Sequence, residues 1–403
     1  MSRTNDLGRD EIPRLVVRLA IPTMLAQLVN VLYSIVDRMY IGTGVGDLAL
    51  AGVGICSPIV TLLASFGSMV GQGGAPVMAM KMGSGKKKEA RQVLNNGFLM
   101  LLILSAVLIS LFLLSKNSLL MWFGAILNIL LDPLFIFVFH MGVAGAAIAT
   151  VISQIVSCLF VLGCLFSKRM PVRLGWGDFH LHVMKRIVTF GFSPFLILAS
   201  DSILLIVLNT VLQRYGGPGE GDTLVTCATI VQSYLLLITM PMGGITLGSQ
   251  PVVSFNYGKG DAQRIKKAIL YITGLCVSFC ILMTVVTWTI SPVYVRLFTE
   301  DPEILHRSVT YIKRFTFMII PLAVQYPLVD ETTALGKVKL ALFCSAFRKF
   351  IFLAGLIFLP ALFTADAAFF SEPVADVVSA TMTSCLFFHF FPKILKEREH
   401  VTI

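Results

Sequence analysis

The chain has 403 residues, of which 56% are hydrophobic and only 13% charged; its mean hydropathy is +0.84 and its formal net charge +10. Soluble globular domains carry about 25% charged residues, so a water-soluble core of this length is excluded. The basic excess does not point to nucleic acid either, because of where it sits.

Apolar stretches long enough to span a bilayer recur at 12–41, 52–80, 94–114, 119–140, 143–166, 187–212, 224–255, 265–290, 308–335, 339–363 and 367–391. In lipid each can satisfy its backbone polar groups only as a helix. The reading is an all-α polytopic membrane protein with eleven transmembrane helices. The first stretch is too long for a signal-peptide core and reads as an uncleaved anchor.

Twenty-five of the 32 basic residues fall in six clusters between or beside these stretches. They centre on Arg3–Arg18, Lys81–Arg91, Lys168–Arg186, Lys259–Lys267, Lys337–Lys349 and Lys393–Arg398. Such placement marks cytoplasmic loops and gives a cytoplasmic N-terminus. With eleven helices, however, the last four clusters would lie outside. One more helix after Phe123 would bring every cluster inside.

An internal repeat locates the same gap. Ile21-Pro22 is echoed by Ser193-Pro194, 172 residues on, and the run 74–85 returns at 249–260, an offset of 175 that Phe123 and Phe298 keep. Beyond that point Asn128 pairs with Arg348 (220) and Ser153 with Ser379 (226). The first half therefore lacks about 45 residues, the size of one membrane helix with its loops. Duplicated apolar halves are a mark of secondary transporters. The expected organisation is a first lobe at 1–166, a cytoplasmic linker with a basic amphipathic segment at 167–186, and a second lobe at 187–403.

Carboxylates inside apolar stretches are costly and functional by default. Asp132 lies four residues after Asn128 on one helical face, and Pro133 leaves the carbonyl of Ile129 without its usual donor. With the hydroxyl of Thr150 from the next helix, these oxygens suit a proton or a hard cation. Asp201 follows Pro194 by seven residues among small neighbours, and Asn209 and Gln232 could line the same cavity. Pro22, Pro133, Pro194 and Pro251 are expected helix kinks. Asp330 and Glu331 read as an interfacial pair with Lys337 or Lys339. The eight cysteines and six histidines have no ligand spacing, so no metal, cofactor or catalytic group is expected.

These residues resemble the multidrug and toxic compound extrusion (MATE) family, and its DinF-like bacterial branch most closely. The resemblance rests on Ala20-Ile21-Pro22 through Val36-Asp37-Arg38-Met39-Tyr40-Ile41-Gly42, on 127–137 around Asn128 and Asp132-Pro133, on 142–154, and on Gly248-Ser249-Gln250-Pro251 through Asn256-Tyr257-Gly258. It runs from about residue 9 to 395 and implies two six-helix lobes about a twofold axis along the membrane normal, here with the fourth helix absent. It implies a monomer in the bacterial inner membrane that exports organic cations in exchange for H⁺ or Na⁺, with no cofactor. It also places Asp37, Asn128, Asp132 and Thr150 at the first-lobe cation site. Two alternatives stand beside this one. The first is a transport-dead deletion product. The second is a lipid-linked saccharide flippase of the same superfamily, for which Arg38, Arg214 and Arg296 are the few arginines at helix ends outside the clusters.

Overall fold

The computed structural model describes residues 6–114 except 46, positions 152, 155, 159, 163, 166 and 175, and residues 177–399; the side chains at 37–60, 62, 63, 108–114, 193 and 397–399 lie outside the description. The helices with described bounds are α1 (Ile12–Val45), α2 (Asp47–Gly83), α3 (Lys87–Leu114), α4 (Leu181–Gly216), α5 (Glu220–Lys259), α6 (Ala262–Arg296), α7 (Pro302–Phe315), α8 (Ile319–Ala334), α9 (Val338–Leu362) and α10 (Ser371–Glu399). Seven are long and apolar enough to cross a membrane, or up to eight when α7 and α8, bent by 51°, form one span. The all-α polytopic architecture is present.

Of the stretch 143–166 only isolated positions are described. Ile152, Ile155, Leu159, Gly163 and Phe166 are helical and exposed, at the three- and four-residue spacing of one helix face. An apolar stripe of this kind suits contact with lipid.

The break between α7 and α8 has a local cause. Pro321, in the first turn of α8, cannot donate to the carbonyl of Phe317, so the backbone bond that would join the two helices there is missing. In the second lobe α8 lies at the centre and packs against α5, α6, α9 and α10. Its buried residues include Leu322, Ala323, Gln325, Leu328 and Glu331.

The two repeats meet in a pseudo-symmetric contact built on glycine. A methyl group on Gly83 would sit 1.9 Å from the carbonyl oxygen of Phe255, and one on Gly258 would sit 2.1 Å from that of Met80. Gly83 with Gly258, and Met80 with Phe255, are the same positions of the repeat, 175 residues apart. Each contact is thus the other's mate, as across a twofold axis. Flanking contacts obey the same operation. A methyl on Gly73 would lie 2.5 Å from the amide nitrogen of Gly191, and one on Gly248 would lie 2.8 Å from the carbonyl of Leu19. Backbones this close need residues without a Cβ, as at the small-residue interfaces of membrane helices.

All these contacts lie toward the ends of α1, α2, α4 and α5 that carry the basic residues. A polar strap reinforces them there. Asn256 Nδ2 and Arg264 Nη2 donate to the carbonyl of Leu7 at 3.0 and 3.2 Å, Arg264 Nη2 to that of Asp10 at 2.7 Å, and Lys259 Nζ to that of Gly8 at 3.1 Å. The segment before α1 is thereby tied to the second lobe. The turns after α2 and α5 also repeat, with Gly85 and Gly260 both at positive φ (77° and 86°).

Among the described positions of the linker, helix begins only at Leu181. Positions 177–180 are not helical, with Gly177 and Asp178 at positive φ, and the helix that starts at Leu181 continues as the first span of the second lobe. Two buried side chains of α3 hold that non-helical segment. Asn95 accepts from the amide of Gly175 and donates to the carbonyl of Gly177; Asn96 donates to the carbonyl of Asp178 and accepts from the amide of His180.

Candidate functional site

Two adjacent basic residues of α9 organise the charge inside the second lobe. Arg348 is the eleventh residue of that helix, about 15 Å from its start at 1.5 Å per residue. Its guanidinium donates from Nε and Nη2 to Asp376 Oδ1 at 3.2 and 2.9 Å, and from Nη2 to Glu372. Both carboxylates come from α10 four residues apart, so they share one face. The Asp376 side chain is 2% exposed and that of Glu372 7%. Lys349, the next residue, turns the other way and pairs with Asp201 of α4.

Arg348 and Lys349 therefore belong to the span. In the sequence they group with Lys337 and Lys339 as loop charge; Arg348 is instead covered by two carboxylates. Glu372 and Asp376 are not among the residues that the sequence expectations name. The signal was there: two acids in i, i+4 register within an apolar stretch, opposite an arginine that the repeat aligns with Asn128.

A second set of acids sits on α8. Thr246 Oγ1 donates to Asp330 Oδ2 at 2.6 Å, and Gln250 Nε2 donates to the carbonyl of Asp330 at 3.3 Å. Glu331 is fully buried, and neither of its carboxylate oxygens has a hydrogen-bond partner among the described residues. The expected interfacial pairing with Lys337 or Lys339 does not occur. Gly336, at φ 79°, turns the chain between α8, which holds the acids, and α9, which starts after Lys337. On the same helix Gln325 is 2% exposed and accepts from Ser379 Oγ at 3.1 Å.

The other candidates are placed as follows. Asp201 is half exposed and lies ten residues past Gly191 on α4, about 15 Å from the glycine contacts toward the opposite end of the helix. Asn209 is on the same helix, and its side-chain oxygen is buried without a partner among the described residues. Gln232 is half-buried in α5. Pro22, Pro194 and Pro251 stand inside continuous helices. Asp37 lies in the far part of α1, with its side chain outside the description. Asn128, Asp132, Pro133 and Thr150 lie outside the described residues. Arg214 and Arg296 are exposed at helix ends. Among the described residues no three His, Cys, Asp or Glu side chains are grouped to hold a metal ion.

Chemically, the arrangement offers carboxylates at two depths of the second lobe. One set meets Arg348 and Lys349; on α8, Asp330 accepts from the neutral Thr246 hydroxyl, and Glu331 has no hydrogen-bond partner among the described residues. Carboxylates buried in an apolar bundle demand a proton, a cation or hydrogen bonds. A transporter can make use of that demand.

The chain matches the MatE family model over residues 22–130 and 197–360. It is 21% identical over 416 residues to a multidrug export protein MepA from Staphylococcus aureus (strain MSSA476), covering 90% of each protein, and 22% identical to the MepA of Staphylococcus haemolyticus (strain JCSC1435) over the same shares. Its fold superposes on an outward-facing multidrug resistance MATE family transporter of the MOP superfamily with a TM-score of 0.87 at 22% identity, covering 97% of this chain and 98% of the other. A MOP superfamily transporter from Pyrococcus furiosus, described as having a binding pocket of reverse polarity, superposes with a TM-score of 0.86 at 21% identity over 96% and 98% of the two chains. With the family model covering both halves, the chain belongs to the MatE family of multidrug efflux transporters.

Proposed function

We propose that this chain exports small organic cations by antiport against H⁺ or Na⁺, and that the structure corresponds to its outward-facing state. The carrying observation is the glycine seal. It joins the lobes at the ends of α1, α2, α4 and α5 that bear the basic residues, which the positive-inside rule assigns to the cytoplasm. Asp201 and, by its place in α1, Asp37 stand beyond that seal on the other side. Alternating access then consists of opening the seal and closing the far ends, with the carboxylates exposed to each side in turn.

Asp37, Asn128, Asp132 and Thr150 are the proposed coupling group. A carboxylate at low dielectric favours its charged form when a cation is near and its neutral form otherwise. Ion and cationic substrate compete for it, so loading one from outside expels the other. Ethidium efflux from a pump-deficient bacterial host tests this: Asp132→Asn is expected to abolish efflux that the unaltered chain supports. Full efflux in an Asp37→Asn/Asp132→Asn double variant would sink the proposal.

One observation favours a second reading, a transport-dead protein. The segment of the second lobe without a first-lobe counterpart spans about 299–343, which takes in α8. That helix is the packed centre of its lobe and carries Asp330 and Glu331. Absent efflux, restored when about 45 residues are inserted after Phe123, would decide for this reading.

A further inference from the structure

We infer that Arg348 is a resident cation: in the second lobe its guanidinium occupies the place that an exchangeable ion takes in the first. The inference rests on the first-lobe coupling group proposed above, and it states why the two lobes are not equivalent.

The repeat offsets carry the comparison. An offset of 172 takes Asp37 onto Asn209, 220 takes Asn128 onto Arg348 and Asp132 onto Phe352, and 226 takes Thr150 onto Asp376. The carboxylate of the fifth-helix position has become a phenyl ring, 6% exposed and part of the apolar core. The hydroxyl position of the last helix has become a carboxylate, and the amide position a guanidinium. Oxygen ligands and a positive charge are both present in the second lobe, but the positive charge is covalently attached.

The geometry fits that role. Asp376 and Glu372 converge on one guanidinium from a single face of α10. Two buried carboxylates that meet at one point cannot both stay ionised without a cation between them. Arginine stays charged at any pH a cell meets and offers a fork of donors that matches carboxylates. A free ion enters and leaves; this one cannot. Lys349 does the same on the facing side, against Asp201. The pocket between α9 and α10 therefore keeps its cation throughout the transport cycle, and ion exchange falls to the first lobe.

The test removes the tether. Purified Arg348→Ala is expected to melt well below the unaltered protein and to recover at least half of the loss in tens of millimolar methylguanidinium, which gives the unaltered protein nothing. It is also expected to gain one ²²Na⁺ binding site that methylguanidinium displaces and that is lost again in Arg348→Ala/Asp376→Asn. A purely structural ion pair predicts no gained Na⁺ site, and that result would overturn the inference. If Arg348→Ala does not accumulate, Arg348→Gln/Asp376→Asn decides. Removing a cation and a carboxylate together should restore accumulation, and failure to do so would overturn the matching role. Failure of the first-lobe reading is seen separately, as Na⁺ and proton independence of the unaltered protein, and leaves the rescue experiment intact.

Discussion

The two lobes share a repeat but differ in how they hold charge. In the second, α8 fills the centre, Asp330 and Glu331 ride on it, and Arg348 and Lys349 bridge α9 to α10 and to α4. In the first, the repeat offsets put Asn128 at the place of the arginine and leave α8 without an aligned segment, and the proposed ligands are Asp37, Asn128, Asp132 and Thr150. Duplicated halves need not keep duplicated chemistry. One can be fixed by resident cations while the other stays open to exchange.

The strongest way to break this comparison is to make the lobes equal in length. Inserting about 45 residues after Phe123, taken from the second-lobe segment 299–343, is expected to change ethidium efflux in an all-or-none manner if the first lobe is incomplete. Unchanged efflux would mean that eleven helices suffice. Next in size is Arg348→Ala, which leaves two buried carboxylates unmatched. Breaking a buried pair costs about 3–5 kcal/mol, read as a fall in melting temperature of the detergent-solubilised protein. Substituting Gly83→Val or Gly258→Val overpacks a backbone contact and is expected to cost about 1–3 kcal/mol. Because the two positions are mates, the two losses should agree in size, and cysteine cross-linking between Met80→Cys and Phe255→Cys should fall equally in both. Unequal losses would mean the pseudo-axis does not run between them. The smallest effect is expected from Ser379→Ala, which removes the bond to Gln325. Interhelical bonds in membranes average about 0.6 kcal/mol, so a shift in melting temperature beyond a few degrees would indicate a larger network.

Much of the fold was legible in the sequence because spans and repeats are one-dimensional signals. Pro22 with Pro194, Gly83 with Gly258, and the basic clusters are all visible by eye. What meets across the lobes is not, since Gly83 touches Phe255 only through a symmetry operation that the sequence does not state. The charges of the second lobe were read least well. Asp330 and Glu331 look like a helix-end pair because Lys337 and Lys339 follow within two turns, yet the turn at Gly336 separates them. Arg348 looks like loop charge because it follows those lysines, yet ten residues of helix carry it into the bundle. Hydropathy averages over such windows and cannot distinguish a snorkelling arginine from one met by two acids of a helix further on.

The contact of Gly83 with Gly258 has one more consequence, which concerns assembly. A surface that is its own partner is what joins two copies of a six-helix protein into a dimer, and here it joins two halves of one chain. None of its positions, 19, 73, 80, 83, 191, 248, 255 or 258, falls in or near the stretch after Phe123 where the halves cease to match. The docking surface and the variable interior are separate modules. The surface by which the halves recognise each other does not draw on that stretch.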